Sequence, residues 1–276
     1  MTSRVYILVC LVLLYQESYQ TLIDTTDCIV SKMSNDSKEE GKRIAGYQAV
    51  DEEVKSGMKI GIGSGSTIVY TVQRLAQIYH EGKIKDIICV PTSFQAKQLI
   101  TENKLPLGSL DTQPELDIAI DGADSVDPFL NVIKGGGGAC LQEKVVAYNA
   151  KKFIVIVDQS KICTYLGENW KNGLPMEVLP MAYVPIINKI QKLYGVKAEL
   201  RMAVKKAGPV VTDNSNFLLD VHFDWAKVTS ESLYDLDSTL LKIPGVIETG
   251  FFVGMAEVVY IGKTDGTFSV MRKQQN

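Results

Sequence analysis

Apolar residues follow two alternating spacings along most of the chain. Between Lys42 and Ser56 they recur at helical spacing, and the short apolar run Met58–Gly63 that comes next is typical of a buried strand. The alternation then predicts helices over Thr67–Tyr79, Ser93–Asn103 and Ala139–Lys151, and strands over Asp86–Pro91, Leu116–Ile120 and Phe153–Asp158. Strands that alternate with helices favour an α/β fold with a mostly parallel sheet covered by helices, of the Rossmann-like kind.

The pattern changes beyond Gly173, where strands and helices no longer alternate regularly. A smaller α+β domain is therefore predicted over residues 172–244. Its strands are predicted over Met176–Leu179, Glu199–Val204 and Phe217–Phe223, and its helices over Pro185–Tyr194 and Ser230–Lys242. A further strand over Val258–Gly262 predicts that the chain then returns to the first sheet. The expected organisation is an N-terminal lead-in at 1–37, a main α/β domain at 38–171 plus 245–276, and the smaller domain at 172–244.

The composition of the 276-residue chain excludes some classes of function. Its formal net charge of −3 and its pI near 5.6 argue against nucleic-acid binding, which needs a basic patch or stripe. Only two histidines are present, and the five cysteines are scattered without a CxxC pair. The sequence therefore predicts no metal site, because the usual zinc ligands are in short supply. Cys140 is expected to be a small buried packing residue rather than a nucleophile.

The N-terminal lead-in contains Arg4 followed by the apolar run Val5–Tyr15, which resembles the start of a signal peptide. This run is too short to span a bilayer comfortably, and no clean small-x-small cleavage site follows it. The sequon Asn35-Asp36-Ser37 fits secretion, but such triplets also arise by chance. We expect a cytoplasmic protein without stable membrane association, and secretion is kept as the alternative.

A glycine-rich turn, Gly61-Ile62-Gly63-Ser64-Gly65-Ser66-Thr67, joins the first predicted strand of the sheet to a helix. Glycine frees backbone N–H groups, and hydroxyls at a helix N-terminus help them to bind an anion. The turn lacks the lysine of a Walker loop, and Ser66 stands at the third glycine position of the dinucleotide fingerprint. A small phosphate is therefore the expected ligand, and a purely structural tight turn is the alternative.

A second group of polar residues and glycines follows the third predicted strand. Asp121 and Asp124 come first, then Lys134 with the run Gly135–Gly138, and then Glu143 in the first turns of a helix. Buried carboxylates need donors, and a nearby lysine keeps them ionised. Consecutive glycines cost chain entropy and are tolerated where backbone approaches a ligand closely. The alternatives are a flexible linker for the glycines and a helix-dipole partner for Glu143.

Lys161 follows the predicted strand Phe153–Asp158 and could supply a cation to a phosphate. Alone, a lysine in a loop is usually a solvated charge. In a mostly parallel sheet, however, ligands bind outside the carboxyl ends of the strands. The glycine-rich turn, the Asp121 group and Lys161 all follow strands, so the sequence predicts that they converge on one pocket.

Together these motifs resemble the A-type family of ribose-5-phosphate isomerases, from about Lys42 to Gly266. The resemblance is carried by GIGSGST (61–67), PTSFQA (91–96), DGAD (121–124), IKGGGG (133–138), Glu143-Lys144, MEVLPMA (176–182), VTDNSNF (211–217) and IPGVIETGFF (243–252). It implies an aldose-ketose isomerase that interconverts D-ribose 5-phosphate and D-ribulose 5-phosphate in the non-oxidative pentose phosphate pathway. It also implies no metal and no organic cofactor, a small sugar phosphate as the partner, and a homodimer or homotetramer.

The resemblance also implies roles for individual residues. Glu143 matches the general base, which would move a proton between carbons 1 and 2 through an enediolate. Lys134 matches the group that, with nearby backbone N–H groups, stabilises the oxyanion. Asp121 and Asp124 match the carboxylates that hold the sugar hydroxyls and assist ring opening. The matching substrate-binding positions are Lys42, Gly65, Ser66, Thr67, Gly135, Gly136, Gly137 and Lys161.

Two positions depart from the family pattern. Ser125 stands where glutamate is usual, which removes a charge beside Asp124. Ser215 stands where glycine is usual, and serine tolerates a positive φ less well. A non-catalytic sugar-phosphate sensor on the same type of fold is the alternative function, but it would need neither Lys134 nor Glu143. A phosphatase that uses the Asp121 and Asp124 pair is disfavoured because the histidines and the third carboxylate of a metal site are lacking.

Overall fold

The structure is a computed structural model and describes residues 37–274. The apolar run Val5–Tyr15 and Asn35 of the sequon therefore lie outside the described residues. The described chain begins with helix α1, at 37–53. Ala45, Ala49 and Val50 of this helix are fully buried, in agreement with the apolar positions from which the helix was predicted.

A six-stranded sheet forms the centre of the fold. Its strands are β1 (Lys59–Ile62), β2 (Ile88–Pro91), β3 (Ile118–Asp121), β6 (Phe153–Asp158), β12 (Ala256–Gly262) and β13 (Phe268–Arg272). They lie in the order β13-β12-β6-β3-β1-β2, and all neighbours pair in parallel except the antiparallel pair β12–β13. The return of the chain to the first sheet after the smaller domain is confirmed by the pairing of β12 with β6.

Helices cover both faces of this sheet. They are α2 (Ile68–His80), α3 (Phe94–Glu102) and α4 (Cys140–Tyr148), together with α1. Successive side chains of a strand point to opposite faces. Ile118 and Ile120 of β3 accordingly pack in the core beneath α1, α2 and α3, whereas Ala119 packs in the core that contains Val146 of α4. The predicted α/β fold, with a mostly parallel sheet covered by helices, is confirmed.

A separate antiparallel sheet is formed by strands that lie between residues 174 and 249. Its strands are β7 (Leu174–Val178), β8 (Lys197–Leu200), β9 (Phe217–His222) and β10 (Val246–Thr249), in the order β10-β7-β9-β8. The helices that pack on it are α5 (Tyr183–Tyr194) and α6 (Leu233–Leu241). β10 belongs to this sheet although it lies beyond residue 244, where the smaller domain was predicted to end. The division into domains stays a prediction.

A short three-stranded sheet, which was not predicted, combines two strands that follow β3 with one that follows β10. It consists of β4 (Ser125–Val126), β5 (Val132–Ile133) and β11 (Phe251–Phe252), in the order β11-β5-β4. Strands of two residues are too short to show a period in the sequence, which explains the omission. β5 immediately precedes Lys134, so the pairing of this sheet fixes the position of the Lys134 backbone beside the predicted pocket.

Predicted element boundaries in the smaller domain differ from the structure, and the largest differences are at two elements. The strand predicted over Glu199–Val204 is β8, which ends at Leu200 because the chain then leaves the sheet. The helix predicted from Ser230 begins instead at Leu233, after a 3-10 turn over Ser230–Ser232. Thr229 forms a capping box with Ser232, and this local hydrogen bonding makes the tighter turn favourable.

Ser215 adopts a φ of +63°, the left-handed region in which glycine is usual. Side chains in that region cost roughly 1–2 kcal/mol, whereas glycine loses roughly 0.5–1 kcal/mol more chain entropy on folding. We therefore expect Ser215→Gly to raise the free energy of unfolding by about 0.5 kcal/mol, the difference between these terms. Urea unfolding would measure it, with Ser215→Ala as a control that keeps the strain. A glycine variant no more stable than the wild type would contradict this expectation.

Candidate active site

A cavity of about 290 Å³ lies at the carboxyl ends of β1, β3 and β6. The turn after β1, the residues after β3 and the loop after β6 all contribute to its wall, as predicted from their positions at the carboxyl ends of strands. The run Gly135–Gly138, which we call the glycine loop, the start of α4 and one side of α1 complete it. The predicted site residues that line the cavity are Lys42, Gly65, Ser66, Thr67, Asp124, Lys134, Gly135, Gly136, Gly137, Glu143 and Lys161.

Lys134 is a buried ammonium at the base of this cavity, with 2% of its surface exposed. Its Nζ donates to the carbonyl oxygen of Gly122 at 2.6 Å and lies 3.0 Å from Asp121 Oδ2 and 3.2 Å from Glu143 Oε1. Burial disfavours the charge, but the carboxylates of Asp121 and Glu143 outweigh it and raise the pKa of Lys134. Lys134 is therefore a fixed positive charge.

Glu143 lies in the first turn of α4 and is 5% exposed. Its Oε1 contacts Lys134, whereas its Oε2 has no hydrogen-bond partner among residues 37–274. Burial raises the pKa of Glu143 to about 8, against the lowering effect of the Lys134 charge. A carboxylate with one anchored oxygen, one free oxygen and a pKa near neutrality has the properties of a general base.

Asp121 lies behind Lys134 and does not line the cavity. Its Oδ1 accepts hydrogen bonds from the backbone N–H groups of Ser64 at 3.0 Å and Gly122 at 2.7 Å. Burial raises the pKa of Asp121, although Lys134 and the two N–H donors act in the opposite direction. The structure therefore brings Asp121 to the lysine rather than to the space where a ligand would bind.

Asp124 faces the cavity and contacts the glycine loop. Its Oδ2 accepts a hydrogen bond from Gly136 N at 2.7 Å. A Cβ at Gly136 would lie within 2.8 Å of both carboxylate oxygens of Asp124 and of the Trp170 ring. Only glycine fits there, so the run of glycines brings backbone close to Asp124 and is not a flexible linker.

Hydroxyls and cations also line the cavity. Ser66 and Thr67 precede the first turn of α2, where backbone N–H groups favour an anion. The Gly65 N–H is already donated to Gln95 Oε1 at 2.8 Å. Gly65 therefore contributes space and a φ of +102° rather than a free donor. Lys161 lies in a 3-10 turn, with its Nζ 5.8 Å from the centre of the Trp170 ring.

Helix α1 reaches the cavity because two backbones approach closely. A Cβ at Gly262, the last residue of β12, would lie 1.8 Å from the carbonyl oxygen of Gly41. This contact places Lys42 at the cavity wall, where its Nζ pairs with Glu39 at 2.6 Å. Lys38, one helical turn earlier, also lines the cavity. The sequence prediction missed Lys38, although its spacing of four residues from Lys42 could have indicated it.

Further lining residues that were not predicted lie in segments already identified as polar. They are Ser64, Gly122, Ala123, Asp158 and Ser160. Asp158 Oδ1 accepts hydrogen bonds from the backbone N–H and the hydroxyl of Ser160 at 2.9 and 2.5 Å. These bonds hold the turn that carries Lys161.

Ser125, the first departure from the family pattern, points away from the cavity. It is fully buried, donates to Asn169 Oδ1 at 2.7 Å and accepts from Gly167 N at 3.1 Å. Cys140 is also fully buried, and burial raises the pKa of its thiol, so the prediction of a packing residue is confirmed. Within residues 37–274 no cluster of acidic, histidine or cysteine side chains could hold a metal ion.

Comparisons with known proteins identify the family. The sequence model of ribose 5-phosphate isomerase A, also called phosphoriboisomerase A, matches residues 88–266. The chain belongs to this family. It is 54% identical to a ribose-5-phosphate isomerase of Dictyostelium discoideum, covering 83% of this chain and 96% of the relative. It is 51% identical to the human ribose-5-phosphate isomerase, covering 85% of this chain and 74% of the relative.

Solved structures of family members have the same fold. A D-ribose-5-phosphate isomerase in complex with phospho-erythronic acid matches with a TM-score of 0.78 and 42% identity, over 84% of this chain and 97% of that one. The Plasmodium falciparum ribose 5-phosphate isomerase matches with a TM-score of 0.76 and 36% identity, over 85% and 98% of the two chains. The resemblance inferred from the motifs is thus confirmed at the level of the family.

Proposed function

We propose that this chain is a D-ribose-5-phosphate isomerase, which interconverts D-ribose 5-phosphate and D-ribulose 5-phosphate without a metal or an organic cofactor. The curated relatives carry the name of this activity. The observation that carries the proposal is the pair of buried side chains at the cavity, a glutamate with a free oxygen beside a lysine. A sugar-phosphate sensor would need neither group, and the enzymatic names of the relatives disfavour that alternative.

Glu143 is proposed as the general base. Its free oxygen would take the proton from carbon 2 of the open-chain aldose, and the electrons of that C–H bond would form the C1–C2 double bond of an enediolate. Protonation of carbon 1 by Glu143, together with transfer of the hydroxyl proton from the oxygen of carbon 2 to the oxygen of carbon 1, gives the ketose. One base that reaches both carbons is sufficient, because they are adjacent. A pKa of about 8 makes the ionised carboxylate a stronger base than an ordinary glutamate, and about a tenth of it is ionised at pH 7.

Lys134 is proposed as the group that stabilises the negative charge on the substrate oxygen. Its ammonium is buried and already oriented by Gly122 O and two carboxylates, so it needs little rearrangement as charge develops. Asp121 would act through Lys134 as a positioning residue, since it does not line the cavity. This differs from the role in sugar binding that the resemblance implied for it.

The remaining lining residues are proposed to hold the substrate. Asp124 would bind the sugar hydroxyls and assist ring opening. The phosphate would lie between Ser66 and Thr67 at the start of α2 and the ammonium groups of Lys42 and Lys161. A solved relative binds phospho-erythronic acid, which combines a phosphate with a carboxylate that resembles the enediolate. We propose that the same compound binds this cavity.

The test is a coupled assay of ribose 5-phosphate isomerisation, run with and without EDTA. Because none of the proposed steps uses a metal, we expect the same rate in both conditions. A metal-dependent sugar isomerase serves as the positive control for chelation. Loss of activity on chelation that zinc or magnesium restores would contradict the proposal, and so would a purified protein with no activity on ribose 5-phosphate.

A homodimer or homotetramer is proposed as the active form. The support is a group of exposed apolar side chains at the start of α5, namely Leu179, Met181 and Val184. Met181 is 89% exposed, which is unusual for an apolar residue with apolar neighbours unless a second copy covers it. Sedimentation equilibrium of the wild type and of Met181→Asp would decide, and a monomeric wild type would refute the proposal.

The cytoplasm is proposed as the place of action. The described cysteines Cys89, Cys140 and Cys163 are free thiols, as is usual in a reducing compartment. No helix within residues 37–274 has the length and apolar character needed to cross a membrane. Cell fractionation combined with N-terminal sequencing of the mature protein tests this, and a glycosylated or secreted product would contradict it. The catalytic α/β domain is proposed to comprise 38–171 plus 245–276, although β10 of this range pairs in the antiparallel sheet.

A further inference from the structure

An arginine of the antiparallel sheet contacts the glycine loop of the candidate active site. Arg201 follows β8 and forms two parallel bonds to Asp220 of β9, Nε to Oδ2 at 2.9 Å and Nη2 to Oδ1 at 2.5 Å. Both side chains are about six-sevenths buried, with 16% and 15% of their surface exposed. This bidentate pairing fixes the plane of the guanidinium group.

The remaining nitrogen of this guanidinium points at the backbone of the loop. Nη1 donates to the carbonyl oxygen of Gly135 at 3.0 Å and to that of Gly136 at 3.2 Å. Gly135 O also accepts from Gly138 N at 3.0 Å, which closes the turn. Arg201 therefore binds two consecutive peptide groups of the loop that follows Lys134.

Because the peptide bond is planar, the contacts that Arg201 makes to these two carbonyl groups also fix the direction of the N–H groups that follow them. In a trans peptide the C=O and the following N–H point in opposite directions. With the carbonyl of Gly135 turned toward Arg201, the N–H of Gly136 must point away from it, and it is indeed donated to Asp124. By the same geometry the N–H of Gly137 points away from Arg201.

The Gly137 N–H is available to a ligand. It is donated to no residue among 37–274, and Gly137 lines the cavity. A Cβ built on Gly137 would meet nothing within 4 Å, so open space adjoins this part of the backbone. An N–H with a fixed direction at the edge of a cavity can stabilise a developing oxyanion without reorganisation.

We propose that Arg201, held by Asp220, is a positioning residue that orients the peptide groups of Gly135–Gly137 and thereby directs the Gly137 N–H at the substrate oxygen. The proposal rests on the proposed isomerase function. It makes the antiparallel sheet part of the catalytic apparatus, although neither Arg201 nor Asp220 lines the cavity. Arg201 would therefore act through the backbone of the glycine loop and not by touching the substrate.

Loss of the Arg201 contacts should affect the chemical step but not the binding of phosphate. Lysine at position 201 keeps a positive charge but loses the planar fork, so the two carbonyl contacts and the bidentate pairing cannot coexist. The glycine loop then loses its fixed orientation. Misplacement of a reacting group by about 1 Å can cost about 100-fold in rate, and we expect Arg201→Lys to lower kcat about 10-fold or more. The KM and the affinity for inorganic phosphate should stay within about twofold, because the phosphate end of the cavity is unchanged.

A matched control exists on helix α2. Arg74 forms a similar bidentate pair with Asp51, at 2.7 and 3.0 Å, and does not line the cavity. We expect Arg74→Lys to leave kcat and KM unchanged. Asp220→Asn removes the partner that fixes the guanidinium, so it should lower kcat in the same direction as Arg201→Lys. Thermal unfolding of each variant would show how much of any loss comes from misfolding.

The experiment measures kcat, KM, and the dissociation constants of phospho-erythronic acid and inorganic phosphate for these variants. It includes Arg201→Ala, in which added guanidinium could take the place of the missing side-chain group. Support requires a fall in kcat, weaker binding of phospho-erythronic acid, unchanged binding of phosphate, and partial recovery of Arg201→Ala by millimolar guanidinium chloride. A kcat of Arg201→Lys within twofold of wild type would overturn the proposal. Parallel losses in kcat and phosphate binding without guanidinium rescue would also overturn it. A wild type that does not isomerise ribose 5-phosphate would instead refute the proposed function.

Discussion

Glu143→Gln is expected to lower kcat for ribose 5-phosphate about 10³-fold or more, since general bases contribute roughly 10²–10⁴-fold and no other described group can replace this one. Glutamine keeps the size of the side chain but cannot accept a proton. Asp124, the other carboxylate at this end of the cavity, already accepts a hydrogen bond from Gly136 N. It is therefore poorly placed to take over as the base.

We expect Glu143→Gln to lose proton transfer and to retain substrate-phosphate binding. In deuterium oxide the wild type is expected to exchange the transferred hydrogen with solvent during turnover, and Glu143→Gln should lose this exchange together with isomerisation. Binding of inorganic phosphate should be unchanged, because Ser66, Thr67 and Lys161 are untouched. A coupled assay, proton NMR and calorimetry measure the three quantities.

The expected stability of Glu143→Gln follows from the direction in which the pKa of Glu143 is shifted. Burial raises the pKa of Glu143 to about 8 from an ordinary value near 4.5. The stability associated with the protonated form is therefore complete below pH 4.5 and is lost as pH rises through about 8. Neutral glutamine does not titrate, so Glu143→Gln should be at least as stable as the wild type at pH 9. A lower melting temperature there would indicate that inactivity has a structural cause.

Two comparison variants sharpen this test. Glu143→Asp keeps a carboxylate but withdraws it by one methylene, so partial activity is expected. Glu248→Gln removes a carboxylate that pairs with Lys144 at 2.6 Å and does not line the cavity, and its kcat should equal that of wild type. If Glu143→Gln retained more than about a tenth of wild-type turnover, the proposed general base would be wrong.

The sequence predicted the site because its residues follow strand ends. Parallel strands place their carboxyl ends at one edge, so Ser66, Asp124 and Lys161 could be expected to meet although they are far apart in the chain. Local chemistry indicated which residues mattered, because a run of glycines beside a lysine and carboxylates is costly in a purely structural role. The family resemblance then assigned the roles.

The features that could not be predicted depend on where side chains point in the folded protein and on which distant residues they contact. Asp121 and Asp124 are equivalent in sequence terms, but β3 ends at Asp121, so that side chain stays buried under Lys134 whereas Asp124 reaches the cavity. Arg201 lies about 65 positions from the glycines it contacts, and an arginine after a strand has no local signal. The start of β8 was also misplaced, because this edge strand has only four residues, too few for their alternating exposure to fix a boundary.

Lys134→Met should reduce kcat by roughly 10²–10³-fold, the usual cost of removing one donor to a developing oxyanion. It should also change the pH dependence in a defined direction. The Lys134 charge lowers the pKa of Glu143, so its removal should raise that pKa further. The acid limb of kcat/KM, which reports ionisation of the base in the free enzyme, should therefore move to higher pH.

Asp121→Asn should move the same limb in the opposite direction. The negative charge of Asp121 raises the pKa of Glu143, so a neutral amide should lower it. The wild-type limb is expected near pH 8, with Lys134→Met above it and Asp121→Asn below it. The measurement is kcat/KM between about pH 5 and pH 10, with thermal unfolding recorded at each pH to exclude denaturation.

Lys144 provides the control for this comparison. Lys134 and Lys144 both lie against the Phe252 ring, at 5.6 and 5.2 Å from its centre, but Lys144 pairs with Glu248 and does not line the cavity. Lys144→Met should leave the midpoint of the acid limb in place even if it lowers stability. If Lys134→Met and Asp121→Asn both shifted the midpoint in one direction, damage to packing would explain them better than charge. Opposite shifts, with no shift for Lys144→Met, can come only from charges that act on the carboxylate of Glu143.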